Sequence, residues 1–518
     1  MQPLSYYIAG AGSFASLTLK MLTDTGVVVQ GFIDEIATGT KESLPIYSSD
    51  QIKATVQTSN TCVLIAISLE KHQEAARNRL IVAGVNPLLI LNLESETSLT
   101  FLRTLHQEGI KLPELLQVPL SDIPSLEQRI TQLKSTKVVG KKSLISFNFY
   151  AGGCAGGGGF RQHVNPLAEK LTNHYEVISY SDETDLAGDN SIQLHLQSNL
   201  SAVLNNTADL AITPHFIPCS APSVCKVTFM HVIYDYCLFE DVLYKSISQP
   251  KRHYIFTSSR PAFNGMKQLL LDGDYKNEVI LIPGGYPRLD YNRLKLQQMA
   301  EASDTLVYAP TASVEMPDKT ELTYSIYQAS AILEALVQAF PSYRIVFRPH
   351  PKDLSRVRAG KNSPTADAIR AAIEYCQHSR CELDSSRGDY LANYGRAAVL
   401  ISDTSSTAFT FALTTKRPVV FFSPGNHLLK EQLGHFDYIQ DREHFGVTVS
   451  DVNSLLLAIA TMLENPGQYA EKILQHSKQI LFNDGRSEDY FINNVSYILN
   501  NSCHPDWWYL RDHQKQIG

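Results

Sequence analysis

The chain reads as an α/β protein, with a Rossmann-like N-terminal domain followed by a pair of doubly wound parallel-sheet domains. Three observations predict this. Apolar runs of strand length alternate with helical segments along most of the 518 residues, the pattern of βαβ units in parallel sheets. The turn GAGSFA at 10–15 directly follows one such run. The segment 396–422, RAAVLISDTSSTAFTFALTTKRPVVFF, writes out a whole strand–helix–strand unit. The length exceeds what one core supports and predicts three domains. The boundaries fall at 1–135, 143–300 and 301–485, with a C-terminal helix and tail at 486–518.

Composition narrows the function classes. Hydrophobic residues make up 44% and charged residues 19%, ordinary for a globular protein. A formal charge of −7 argues against a nucleic-acid binder with a broadly basic surface. The eight cysteines include no C-x-x-C pair and read as scattered reduced thiols, which predicts a cytoplasmic location. The start, MQPLSYYIAGAG, shows no basic n-region followed by an apolar h-region. No apolar run approaches the ~20 residues that span a bilayer. Membrane contact is therefore expected to be peripheral, at the inner face of the cytoplasmic membrane.

In the first domain a strand at 6–9 runs into Gly10, Gly12, Ser13 and Phe14. A helix follows with Phe14, Leu17, Met21 and Leu22 on one face, ended by Gly26. A strand over 27–33 closes on Asp34 and Glu35, so an acid stands about twenty residues beyond a G-x-G-x-x-A turn, as the dinucleotide fingerprint demands. Strands at 62–67 and 88–91 flank a helix at 70–83. Gly10, Gly12, Ser13, Phe14 and Asp34 are the candidate nucleotide site. A purely structural or docking role and NAD-dependent catalysis are the alternatives, because the fold alone does not choose a ligand.

Polar residues at 125–142 read as a linker. The second domain opens with a strand at 144–149 and the loop AGGCAGGGG at 151–159. Such glycine density lets backbone approach a ligand closely. No Gly-Lys-Ser/Thr follows, so this is not a P-loop. Gly157, Gly158, Gly159, Arg161 and His163 are candidate acceptor-side residues. Strands at 226–230, 254–258 and 278–282 continue the domain. Asp272-Gly273-Asp274 has the D-x-D form of a metal motif but sits in a polar turn, and no essential metal is expected.

In the third domain a strand at 305–308 leads to Thr311, and 325–340 carries an apolar stripe of Ile326, Ala329, Leu333, Leu336, Val337 and Phe340. A strand from Tyr343 ends in Arg348-Pro349-His350-Pro351, where two prolines fix the backbone around His350 and Arg348 offers a permanent charge. In the 396–422 unit, Asp403, Thr404, Ser405, Ser406 and Thr407 open a helix. Free N–H groups, the helix dipole and hydroxyl donors together suit a phosphate, while the plainer reading is that the hydroxyls only cap the helix. Both elements follow strand ends, where open α/β sheets bind ligands. The tail carries Trp507-Trp508-Tyr509, which suits either a membrane interface or packing against the body of the protein.

From residue 226 to 487 the motifs RPHP, SDTSSTAFTFALTTKRPVVFF, GGYPRLD at 284–290, YAPT at 308–311 and NDGRS at 483–487 occur in the order seen in the CDP-glycerol glycerophosphotransferase family, which the chain resembles. The resemblance implies a GT-B fold, teichoic-acid-type or capsule polymer synthesis, and a nucleotide-diphosphate donor in place of any essential cofactor. It also implies donor binding by Arg348, Asp403, Ser405, Ser406, Thr407, Arg288 and Thr311, with His350 stabilising charge on the pyrophosphate. The family's "WHG"-like motif, whose His acts as the base, corresponds to Met230-His231-Val232, where both Trp and Gly are missing. His231 retains an imidazole able to take a hydroxyl proton near neutrality. The Gly-rich loop is similar to the first loop of GT-B glycosyltransferases, beside the acceptor. GAGSFA with GFIDE is similar to N-terminal domains of some sugar acetyltransferases.

The implied reaction moves glycerol-phosphate or a related polyol-phosphate from a CDP-activated donor to a polysaccharide or lipid-linked acceptor. Two alternatives stay open: a GT-B glycosyltransferase using a nucleotide sugar for capsule or lipopolysaccharide, and a non-catalytic nucleotide-sugar-binding scaffold.

Overall fold

The computed structural model describes residues 5–24, 26–55, 61–67, 70–92, 143–149, 164–181, 192–193, 208–216, 225–234, 240–248, 250–300, 302–312, 325–358, 360, 362–386, 390–434 and 436–514. The linker at 125–142 and the candidates Gly157, Gly158, Gly159, Arg161 and His163 lie outside them. The chain divides into two compact units, one of Met1–Ser146, His174–Ala211 and Cys219–Val224, the other of Phe147–Asn173, Ile212–Pro218 and Cys225–Gly518.

In the first unit the strands β1 (Ser5–Ala9), β2 (Val29–Ile33), β3 (Gly39–Lys41), β4 (Leu44–Tyr47), β5 (Thr61–Ile65) and β6 (Ile90–Asn92) form a sheet in the order β3-β4-β2-β1-β5-β6. β1 pairs in parallel with β2 and β5, and only the β3–β4 hairpin is antiparallel. Glu42 and Ser43 turn that hairpin with φ of 49° and 66°, the twist a two-residue connection needs. Without an Asn-Gly signal it left no mark in the sequence. The helix Ser13–Asp24 buries Ala15, Thr18, Leu19, Met21 and Leu22. Leu17, expected on that face, is 44% exposed. Positions 15, 18, 19 and 22 form the i, i+3, i+4, i+7 stripe that meets the sheet, and Leu17 lies off it.

Strand β7 (Leu144–Phe149) comes next, then the parallel pair β8 (Glu176–Ser181) and β9 (Ile192–Gln193). β10 (Leu210–Thr213) runs across the division, and the second unit holds β11 (Cys225–Phe229), β12 (Arg252–Thr257) and β13 (Glu278–Pro283), then β14 (Thr305–Tyr308), β15 (Arg344–Phe347), β16 (Cys381–Leu383), β17 (Ala397–Ser402), β18 (Val419–Phe422), β19 (Gly446–Val449) and β20 (Trp508–Tyr509). One sheet runs β20-β13-β12-β11-β10-β7, the other β16-β15-β14-β17-β18-β19. All pairings within the second are parallel. Two helix-flanked sheets, parallel at β11–β12–β13 and throughout the second, with β20 as an antiparallel edge, agree with the GT-B-type pair. The helix Ser487–Leu499 returns to the first of them, with Phe491 against Phe229 and Phe256 at ring separations of 5.1 and 5.7 Å.

The tryptophan tail is folded in. Trp507 is buried, stacks edge-on to Tyr254 and donates to Tyr490 Oη at 3.0 Å, while Trp508 pairs antiparallel with β13. These aromatics serve the protein's own packing rather than a membrane interface, because the sheet edge offers them both apolar cover and backbone partners. Two cysteines expected to be scattered, Cys376 and Cys381, are neighbours: both are buried free thiols with sulfurs 2.7 Å apart. Among the described residues no helix is long and apolar enough to cross a membrane.

Candidate active site

The order β16-β15-β14-β17-β18-β19 is the 3-2-1-4-5-6 order of a dinucleotide-type fold, whose strand order reverses between β14 and β17. Ligands of such sheets sit outside the carboxyl ends of the strands at that reversal. Three loops meet there: 309–312 after β14, 348–350 after β15 and 402–407 after β17.

The 402–407 loop is braced from several sides. Ser402 Oγ donates to Ala309 O at 2.6 Å. The carboxylate of Asp403, which is 1% exposed, accepts from Thr311 N, Thr404 N, Ser325 N and Ser325 Oγ at 2.7–2.9 Å. Tyr438 Oη donates to Thr404 O, and Arg442 Nη2 donates to Asp403 O at 3.2 Å. Burial pushes the Asp403 carboxyl up, and the donors from Ser325 and Thr311 work against that rise. Asp403 was expected among the phosphate contacts. Instead it is a clasp between the β14 and β17 loops, since a carboxylate saturated by four donors has nothing left to offer and would repel an anion.

With the loop held, its hydroxyls are spared. Ser406 is the N-cap of the helix Thr407–Thr415 but lies in helical backbone and makes no side-chain cap bond. Ser405 Oγ meets Thr407 N only at 3.4 Å. Both side chains are partly exposed. Ser406 therefore does not cap the helix, Ser405 accepts only a long bond from its first N–H, and both hydroxyls keep a proton to donate at the positive end of a nine-residue helix. Thr407 is partly engaged, through a side-chain hydrogen bond with Tyr394.

The RPHP element divides its work. His350 precedes the helix Pro351–Arg358, and its Nδ1 accepts from Lys352 N at 3.2 Å. That bond makes Nδ1 an acceptor, so in the neutral ring Nε2 carries the proton. Arg348, expected on the donor phosphates, donates Nη1 to Asp384 Oδ2 at 2.7 Å and to Ser386 Oγ at 2.8 Å. It also lies over the Tyr390 ring at 5.7 Å. Burial raises the Asp384 carboxyl, but bonds from Ser386 and Asn393 and the Arg348 charge outweigh it and hold it below the usual range. Arg348 thus anchors the loop through a nearly buried ion pair. Arg288 is a second correction. It is 4% exposed, donates to Tyr390 Oη at 3.1 Å and stacks on that ring at 5.0 Å. Both cations are spent on Tyr390, because their aliphatic stems and planar heads fit an aromatic face.

His231 sits on a loop after β11 whose three successive carbonyls are each fixed by a hydroxyl. Tyr286 Oη donates to His231 O, Ser258 Oγ to Val232 O and Ser259 Oγ to Ile233 O, each at 2.5 Å. Tyr234 Oη then donates to Asp441 Oδ2 at 2.7 Å. The imidazole is partly exposed and meets His215 edge-on, ring centroids 6.0 Å apart. Burial, then His231, Lys226 and Lys352, keep the His215 imidazole well below its usual range. Lys352 stands two residues after His350, so the His231 and His350 loops are close enough to share an electrostatic field. Neither His215 nor Lys352 belongs to a local motif, and only the fold reveals them.

The GGYPRLD and NDGRS segments are halves of one clasp. Asp290 accepts from Gly485 N and Ser487 N at 2.9 and 2.8 Å, and Asn483 Nδ2 donates to Pro283 O and Gly284 O. Gly285 has φ of +105°, and a Cβ there would stand 2.4 Å from Ser487 Oγ, so glycine is required.

In the first unit Gly10 has φ of +107° and its N–H donates to Ile33 O at 2.8 Å. Ser13 and Phe14 open the following helix, and a Cβ on Gly12 would meet nothing within 4 Å. Lys41 Nζ reaches Ala11 O at 2.8 Å. Asp34, a candidate for the nucleotide site, spends Oδ1 on the N–H groups of Ile36 and Ala37, both at 2.9 Å. It turns its own chain, as an Asx motif does.

Residues 272–497 match the family model of CDP-glycerol:poly(glycerophosphate) glycerophosphotransferase. The minor teichoic acid biosynthesis protein GgaB of Bacillus subtilis (strain 168) is 23% identical over 267 residues, 48% of this chain and 26% of GgaB. The chain thus matches about a quarter of that relative's length. Among solved structures, the wall teichoic acid polymerase TagF is similar with a TM-score of 0.49 and 16% identity, over 74% of this chain and 95% of that one. The UDP-GlcNAc 2-epimerase from Neisseria meningitidis bound to UDP-GlcNAc gives a TM-score of 0.43 and 10% identity, over 68% and 99%.

Proposed function

We propose that this chain, whose residues 272–497 carry the domain of the CDP-glycerol:poly(glycerophosphate) glycerophosphotransferase family, transfers glycerol-phosphate or a related polyol-phosphate. The donor is CDP-activated, and the acceptor is a hydroxyl of a teichoic-acid-type surface polymer. The observation that carries this reading is the braced 402–407 loop. Inside the matched segment, it holds the Ser405 and Ser406 hydroxyls and a helix N-terminus at the end of β17, in the sheet whose next-but-one strand, β15, leads to His350.

The pyrophosphate of the donor lies against Ser405, Ser406 and the N–H groups at the start of the helix Thr407–Thr415. His350 supplies a further donor through Nε2, and Thr311 lines the neighbouring strand end. His231 takes the proton of the acceptor hydroxyl. The acceptor oxygen attacks the β-phosphorus, the bond from that phosphorus to the bridging oxygen breaks, and CMP leaves with the electron pair. Donors fixed before the reaction stabilise the charge that develops on the leaving phosphate without reorganising. Arg348 and Asp403 contribute by holding the loops rather than by touching the donor. In the first unit, the Gly10, Gly12, Ser13 and Phe14 turn keeps the shape of a nucleotide-binding turn, with Asp34 withdrawn from it.

The test is a thermal-shift screen of the full chain with CDP-glycerol, CDP-ribitol, CMP, UDP-GlcNAc and GDP-mannose. CDP-linked ligands are expected to raise the melting temperature, and His350→Ala to weaken that shift about 10–100-fold in ligand concentration, the loss of one or two charge-assisted bonds. His231→Ala is expected to keep the shift but lose turnover with a polymer acceptor by about 10²–10⁴-fold. Stabilisation by UDP- or GDP-sugars alone would replace this reading with a glycosyltransferase. Binding of donor with no turnover in the wild type would replace it with a scaffold.

A further inference from the structure

Beyond the reacting loops, three metal-ligating side chains meet at one point of the second unit. Asp441 precedes the one-turn helix Arg442–Phe445, which carries His444. The i, i+3 spacing puts both side chains on one face. The helix Pro466–Ile480 brings His476 against them. One ligating atom from each of the three lies within 4.8 Å of the other two. We infer that Asp441, His444 and His476 form a binding site for a divalent transition-metal ion of the zinc, cobalt or nickel kind.

A second observation supports a ligand there. His476 is 6% exposed, and its Nδ1 is buried without a hydrogen-bond partner. Buried polar atoms are normally paired; Nε2 of the same ring faces Asp441 Oδ2 at 3.1 Å and Tyr234 Oη at 3.4 Å, so Nδ1 is the ring nitrogen that an ion would satisfy. One carboxylate with two imidazoles is a borderline-soft donor set that suits zinc, cobalt or nickel over magnesium or calcium. His444 is partly exposed and provides the path of entry. Its ring is stacked on His476, centroids 4.0 Å apart and planes within 11°. Imidazole binds a metal in the plane of the ring, so coordination requires the stack to open, and His444 is the ring with room to turn.

Asp441 Oδ2 also accepts from Tyr234 Oη at 2.7 Å and stands 3.1 Å from His476 Nε2. Tyr234 would then act as an outer partner of a ligating carboxylate, a common way of orienting one. An ion here would tie the 441–445 segment to the helix Pro466–Ile480 and, through Tyr234, to the loop that bears His231. This inference does not depend on the transfer reaction.

The experiment titrates the chelator-stripped full chain with Co²⁺, followed by visible absorption, and with Zn²⁺, followed by calorimetry. The expected result is one ion per chain with a ligand-field spectrum of nitrogen and oxygen donors. His476→Ala and His444→Ala should each weaken binding by about 10–100-fold or more, while Tyr234→Phe retains it. His444→Gln serves as a milder substitution at the exposed ligand should His476→Ala fail to fold. Absence of stoichiometric Co²⁺ binding by the wild type overturns the assignment. So does binding that survives His444→Ala and His444→Gln unchanged, which would place the ion elsewhere.

Discussion

The turn after β1 and the turn after β17 both join a parallel strand to a helix, yet they are built differently. The first relies on Gly10 and Gly12, and its nearby acid is folded into its own Asx turn. The second is clasped through its own Ser402 and Asp403 to Ala309, Thr311 and Ser325, and by Tyr438 and Arg442, all from other parts of the fold. Glycine gives a turn its shape. Distant side chains give it rigidity, and a site that must stabilise charge in a transition state needs the second quality more than the first.

The sharpest way to break that contrast is to remove Asp403. Asp403→Ala leaves Thr311 N, Thr404 N, Ser325 N and Ser325 Oγ without their acceptor in a buried setting. Each orphaned donor costs about 1–3 kcal/mol, with partial relief from water entering the cavity, so urea denaturation should show a loss of about 3–5 kcal/mol. A loss below about 1 kcal/mol would mean that the loop holds its shape without the clasp.

The Arg348–Asp384 pair tests the same idea by pH. The Asp384 carboxyl is held below the ordinary 3.8 in the folded chain despite its burial. The folded state therefore favours the ionised form. The stabilisation is present above about 3.8 and is lost as pH falls through the depressed folded value. Asp384→Asn should flatten this part of the acid limb of a stability-against-pH curve. Near neutral pH it should cost about 2–3 kcal/mol, because a nearly buried guanidinium loses its counter-charge. An acid limb identical to wild type would show that Arg348 does not rely on this partner.

Much of this architecture was legible in the sequence, and the reason it was incomplete is physical. Periodicity found β17, the helix from Thr407 and β18, because strand and helix repeats are local. It could not find that Asp403 grips residues 92 and 78 positions earlier, or that Arg348 is answered by Asp384, 36 positions later. A charged residue beside a strand end has the same local appearance whether it faces a ligand or a buried partner. That is why Arg348, Arg288 and Asp403 were read as donor contacts. The surroundings of His350 and of the two serines, a helix start in each case, are encoded right beside them.

A smaller step loosens the brace without emptying it. Tyr438→Phe removes the hydrogen bond to Thr404 O and the long one accepted from Arg442 Nη2 at 3.3 Å, and keeps the ring that Arg442 packs on at 5.1 Å. The expected cost is about 1 kcal/mol in stability. If the donor binds at this loop, the loss should appear as a several-fold rise in KM for donor, with little change in the concentration dependence on acceptor. An equal effect on both substrates would argue that Tyr438 supports the whole cleft instead.

The smallest effect belongs to the first unit. Asp34→Ala removes the acceptor for Ile36 N and Ala37 N. Ile36 is 93% exposed, so water replaces the lost bond at its N–H with little penalty. The expected change is about 0.5–1 kcal/mol, several-fold below that of Asp403→Ala. Two strand-associated aspartates, each accepting backbone N–H groups, would then differ in worth because one is wet and the other is sealed. If Asp34→Ala instead costs as much as Asp403→Ala, the Asx turn is integral to the fold of the first unit. The glycine turn beside it would then be braced as well, and the contrast between the two turns would collapse.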